Sequence, residues 1–235
     1  MIGRVLLAAI LAGLAAGFIM GVIQHVRLTP LIIEAEKYEH VAHGHGTASD
    51  EGVPKVAAHS HGEDVWSPDD GMERTTYTTL TTMVAGAGFA LVLAGLSFVA
   101  GIPITRGNGL VWGLCGFIAV SFAPSIGLPP ELPGMPAAGV MARQAWWGGT
   151  IVCTGLAIWL LATQSQWFKY PGAALLALAP HVFGAPQPVT HETSVPAGLA
   201  AEFATASLGA NLIFWLLIGL FLAMVLVKFE GEAKE

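Results

Sequence analysis

Six stretches of the chain are almost purely apolar, and polar residues gather between them instead of alternating with them. A helix that crosses the hydrocarbon core needs about 20 largely apolar residues. Four stretches meet that measure: Val5 to Val26, Thr78 to Gly101, Gly109 to Gly127 and Leu208 to Val227. Two more, Ala145 to Thr163 and Trp167 to Phe183, are shorter or interrupted, and Pro171 and Pro180 predict that the fifth helix is short or bent. The expected fold class is therefore all-α: a polytopic integral membrane protein of about six transmembrane helices, residues 1–235 forming one membrane domain. The first stretch follows Arg4, as a leader peptide would, but its apolar run is too long and lacks a small-x-small cleavage site, so it reads as a helix. Ala9, Gly13, Gly17 and Gly21 recur on it every four residues, a small-residue seam along which another helix can approach closely.

With six spans, the three long connections, Arg27 to Tyr77, Leu128 to Gln144 and Gly184 to Ser207, fall on one side, and both termini fall on the other. Lys and Arg number five on each side, but on the terminal side they sit in shorter segments. By the positive-inside rule the termini are then expected in the cytoplasm and the long connections outside.

Composition agrees with a lipid solvent: 54% of the 235 residues are hydrophobic and 11% charged, with a mean hydropathy of +0.65. A soluble domain carries roughly twice that charge. The net charge of −6 is local, because ten of the sixteen acids lie between Glu34 and Glu73. That segment, 28–77, reads as an extramembrane His- and acid-rich loop with a mobile middle. Cys115 and Cys153 sit inside apolar runs, which argues against a disulfide framework or a cysteine-based zinc site.

The loop carries His40, His43 and His45, then His59 and His61 ahead of Glu63 and Asp64. Neutral imidazoles with nearby carboxylates suit Zn, Cu, Ni or Co(II). The same residues also fit a solvated loop with no specific ligand. Ionisable groups at the ends of spans are costly and so are candidates for function. These are Gln24 and His25 closing the first helix, His181 closing the fifth, and Glu202 and Asn211 opening the sixth. Interfacial placement accounts for Glu202, His25 and His181 almost as well. The proline-rich stretch Leu128-Pro-Pro-Glu-Leu-Pro-Gly is too apolar to float in water and is expected to fold back into an outer vestibule. Glu131 would then stand at its mouth, with Arg143 as an ion-pair partner that tunes or blocks it. Trp146 and Trp147 read as an interfacial aromatic belt. No phosphate loop, Gly-x-Ser-x-Gly elbow, His-Glu-x-x-His pair or dinucleotide fingerprint is present, so neither ATP hydrolysis nor a familiar enzyme is indicated.

Five segments in order along the chain add a resemblance. Pro30-Leu-Ile-Ile-Glu-Ala-Glu-Lys-Tyr-Glu, Trp66-Ser-Pro-Asp-Asp-Gly-Met-Glu-Arg-Thr, Pro129-Pro-Glu-Leu-Pro-Gly, Arg143-Gln-Ala-Trp-Trp and Pro180-His-Val-Phe-Gly-Ala-Pro resemble the CbtA family of predicted cobalt transporter subunits. The resemblance implies a bacterial inner-membrane protein of five or six helices that serves cobalt supply for cobalamin synthesis, often beside CbtB, a small one-helix partner. It marks Glu34, Glu36, Tyr38, Glu39, Glu131, Arg143, Gln144 and His181 as candidates on the transport path, without fixing a ligand set. The expected cargo is a divalent metal, cobalt or alternatively nickel or zinc, with no permanently bound cofactor. The partners it implies are the lipid bilayer, the cation and a small CbtB-like subunit; no nucleic acid is implied. A non-transporting metal-binding scaffold or chaperone subunit remains the alternative.

Overall fold

The structure is a computed structural model, and it describes residues 2–44, 68 and 71–231. Among these residues there are six helices and no strand. Helix α1 begins as Ile2–Ile23, passes through a π turn at Gln24–Leu28 and continues as Thr29–Gly44. Helix α2 is Met72–Ala100. Helix α3 is Gly109–Phe117, a second π turn at Ile118–Phe122, and a last turn at Ala123–Ser125. Helices α4, α5 and α6 are Val140–Thr163, Lys169–Phe183 and Ala197–Gly231.

Four of the six, Ile2–Tyr38 within α1, α2, α4 and Ala197–Phe229 within α6, are long and apolar enough to cross a membrane; the apolar Gly109–Ser125 is shorter. Several boundaries differ from the sequence reading: α2 and α6 begin earlier than expected, at Met72 and Ala197 in place of Thr78 and Leu208, and others shift too. The stretch from Gly109 does not continue as helix to Gly127, because Gly127 N and Leu128 N both turn back onto Pro124 O and the Pro-Pro sequence follows. Helix α4 starts at Val140, well before Ala145, so Arg143 and Gln144 are helical. Helix α5 is 15 residues long, in line with the expected shortness. Pro171 falls in its first turn, where the missing amide has no intrahelical partner to lose, and Pro180 lies inside it.

The first helix likewise does not stop at Val26. Its apolar pattern fades there, yet the backbone stays helical to Gly44, so Glu34, Glu36 and Tyr38 lie on a helix and not in a loop. Of the expected loop histidines, His40 and His43 fall on this helical backbone, while His45, His59, His61, Glu63 and Asp64 lie outside the described residues.

The centre of the bundle is α6, with Trp215, Ile218 and Leu222 almost wholly buried. It packs against α1 on one side and α3 on the other, while α1 and α2 form the tightest pair. Both seams are glycine contacts. A Cβ on Gly13 would strike Gly86 O, and one on Gly17 would strike Thr82 O, so the α1 and α2 backbones meet directly. The Thr82 hydroxyl lies 3.0 Å from Gly17 O across that seam. Between α3 and α6, Gly109 and Gly113 lie against Gly219 and Trp215 in the same manner. Where lipid tails are as apolar as the side chains, close approach and shared hydrogen bonds hold helices together.

Helices α4 and α5 form a hairpin whose contacts with the bundle concentrate at the C-terminal end of α3. There Trp146 closes the joint. Its Nε1 donates to Pro180 O at 3.1 Å, its ring meets His181 edge-on, and it fills the space beside Gly127. It is thus a packing residue and not simply an interfacial belt.

Described parts of the three long connections touch at one end of the molecule. Ser194 donates to Tyr38 O at 3.0 Å and Thr193 donates to Gly134 O at 3.1 Å. On the opposite face, Arg4 near the start of α1 donates to Phe229 O near the end of α6.

Candidate functional site: a polar cavity at the looped end

A cavity of about 440 Å³ opens at that looped end, between the last turns of α3, the first turns of α4, the middle of α6 and the proline loop. Its shape follows from the sequence of α3. Pro124 has no amide, so the carbonyl of Val120, its partner in a regular helix, loses that donor. The backbone responds with the π turn, in which Ala123 N reaches Ile118 O. Turns of this kind are rare and frequent at functional sites. Here the turn sets Ser121 against α6, where Trp215 Nε1 donates to Ser121 Oγ at 3.3 Å.

The charged groups of the cavity are Glu131 and Arg143, with Arg143 Nη2 2.9 Å from Glu131 Oε2. Both are partly sheltered, at 34% exposure for the arginine side chain and 21% for the glutamate. The proline loop fixes the carboxylate in place, because Leu132 is buried and its amide donates to Met135 Sδ. Gln144 and Asn211 complete the polar wall. Asn211 Nδ2 donates to Ser207 O at 2.9 Å, which leaves its Oδ1 free to accept. Ser125 Oγ donates to Phe122 O, so it too presents an oxygen.

The remaining sequence candidates lie elsewhere. His25 faces a smaller cavity of about 110 Å³ shared with Gly21, Thr29, Arg74 and Thr75, and its Nδ1 is 3.1 Å from Thr75 Oγ1. Gln24 sits in the first π turn, where its backbone carbonyl accepts from the Thr29 hydroxyl and its side-chain Oε1 is buried without a hydrogen-bond partner. Glu34 pairs with Lys37 on the exposed face of α1, and Glu36 pairs with Arg74 of α2 at 2.9 Å. His181 packs on Trp146, and Glu202 is exposed on the second turn of α6. His25, Glu131 and His181 thus have different neighbours: Thr75, Arg143 and Trp146. Among the described residues, no three His, Cys, Asp or Glu side chains form a group that could hold a metal. His25 lies in the π turn inside α1, Glu131 on the proline loop after α3 and His181 in the last turn of α5, so the fold sets them in separate surroundings.

Sequence reasoning missed Ser121, Ser125 and Trp147 as lining residues. The signal available for the serines was Pro124 inside an apolar run, which marks a place where backbone groups are freed.

The sequence model of one protein family, described as probable cobalt transporter subunit (CbtA), matches residues 2–227 of the chain. No curated protein and no solved structure matches it.

Proposed function

Because the chain belongs to the CbtA family of probable cobalt transporter subunits, we propose that it carries a divalent cation inward across a bacterial inner membrane, cobalt for cobalamin synthesis being the cargo. The termini face the cytoplasm and the His- and acid-rich connection faces the periplasm. The cation enters through the cavity at the looped end, and the observation that carries this reading is the Glu131 carboxylate held in that cavity by Arg143. A cation arriving there replaces the guanidinium as the counter-charge of Glu131, and Asn211 of the central helix lines the same cavity. ATP is not needed to drive the step. An inside-negative potential contributes about 2.3 kcal/mol per charge per 100 mV, so about 4.6 kcal/mol for a divalent ion. That corresponds to roughly three decades of accumulation.

A second reading, a metal-binding scaffold that passes its ion to another protein, draws on the lack of a three-ligand group among the described residues. A subunit lacking a full ligand set would take the missing ligands from the segment 45–67 or from a partner, such as a small one-helix chain. Cobalt uptake by cells expressing Glu131→Gln, at matched protein level, tests whether the ion passes through the cavity, and uptake into liposomes holding the protein alone separates the two readings. Uptake lowered at least tenfold supports entry through the cavity, and normal uptake removes Glu131 from the path.

A further inference from the structure

We propose that the cavity at the looped end takes up the divalent cation with its water shell intact, recognising the hydrated ion through hydrogen bonds and not by direct coordination. The inference rests on the reading above of a cation carrier and specifies the chemical form of the cargo that this site accepts.

Three observations carry it. First, none of the described residues lining the cavity is a histidine or a cysteine, and Glu131 is the only carboxylate among them. Cobalt, nickel and zinc are captured selectively by imidazole and thiolate, so this wall has little means of stripping and ranking them. Second, the wall presents oxygen acceptors: the Glu131 carboxylate, Asn211 Oδ1 and Ser125 Oγ, the last two on side chains that donate to Ser207 O and Phe122 O. The outer surface of a hydrated cation is a shell of O–H donors. It matches the arginine it replaces, because a guanidinium also offers Glu131 only donors and positive charge. Third, the size fits. Six waters at about 30 Å³ each occupy roughly 180 Å³, which a cavity of about 440 Å³ holds with room for the displaced Arg143 side chain to remain. A bare ion there would meet these three side-chain acceptors, one of them charged, short of the roughly six ligands a dehydrated divalent cation requires.

The test uses hexaamminecobalt(III), whose six ammonia ligands do not exchange and whose N–H groups point outward like the waters of a hydrated ion. It is titrated into the purified full-length protein by calorimetry, with spermidine as a trivalent control of different shape. The expected result is one-to-one binding that Co(II) competes away, with affinity at least tenfold above that of spermidine and lowered at least tenfold by Glu131→Gln. No binding, binding unchanged by Glu131→Gln, or equal binding of spermidine overturns the proposal; the last comparison needs no variant, so a poorly folding mutant does not block the test. Cobalt uptake in proteoliposomes is scored separately. Uptake without hexaamminecobalt(III) binding overturns the hydrated-ion site alone, whereas Glu131-dependent binding without uptake overturns the carrier reading and leaves the site standing.

Discussion

Replacing Arg143 by glutamine is the sharpest probe of how the cavity works. In the structure the guanidinium holds Glu131 at 2.9 Å, and the two side chains are about one-third and one-fifth exposed. Exposed ion pairs contribute about 0.2–1 kcal/mol, and the partial shelter of this pair places it near the upper end, at about 1 kcal/mol. If Arg143 competes with the incoming cation for one carboxylate, its removal returns that energy to the cation. At 1.4 kcal/mol per tenfold, the half-saturating cobalt concentration then falls about fivefold, with the maximal rate unchanged. Gln144 next to it remains, and glutamine at 143 keeps an uncharged hydrogen-bond donor. The assay is the initial rate of cobalt uptake across a range of concentrations, normalised to the amount of protein in the membrane. A higher half-saturating concentration, or a fall in maximal rate at equal protein, would refute competition and make Arg143 the residue that positions Glu131.

Other consequences can be checked in the same preparation. Gly17→Ala drives a methyl group into Thr82 O and Met83 Cα and should cost about 1–3 kcal/mol, whereas Gly88→Ala has nothing within 4 Å and should change the thermal midpoint in detergent by little. Equal midpoints for the two variants would contradict the α1–α2 seam. Trp146→Phe removes the hydrogen bond to Pro180 O while keeping an aromatic ring, and about 1 kcal/mol should be lost. An unchanged midpoint would show that this bond does not secure the hairpin. His25→Ala and His181→Ala, which lie outside the cavity lining, should each reduce uptake less than Glu131→Gln does. A larger loss from either would move the entry path to that residue.

Much of the architecture was legible because apolar runs in lipid must be helical, and the glycine repeat on the first helix announced a close contact, which α2 supplies through Gly86. What hydropathy could not place were helix ends set by hydrogen bonding. The extension of α1 past Arg27 carries charged residues that pair laterally, Glu36 with Arg74 for one, so its composition resembles a loop while its backbone remains helical. Gly109 to Gly127 looked like a complete span because an apolar window does not register that Pro124 and the π turn shorten the helix.

The same limit applies to the cavity. Glu131 and Arg143 stood out as opposite charges flanking a proline-rich stretch too apolar for water, and they do form an ion pair. The histidines stood out on chemistry alone, and chemistry does not say which parts of the chain meet. His25 lies against Thr75 Oγ1 and His181 packs edge-on against Trp146, in separate parts of the fold. The role of Ser121 was hidden for a related reason, since it depends on a turn widened by one residue that directs the side chain onto Trp215 of a helix distant in sequence.

Whether this chain by itself carries the cation through the bilayer is decided by reconstituting it alone in liposomes and following radioactive cobalt entry under an imposed inside-negative potential. Saturable uptake that rises with the potential and falls at least tenfold in Glu131→Gln is the expected result; binding of cobalt without any entry would contradict the carrier reading and make the protein a scaffold for another carrier.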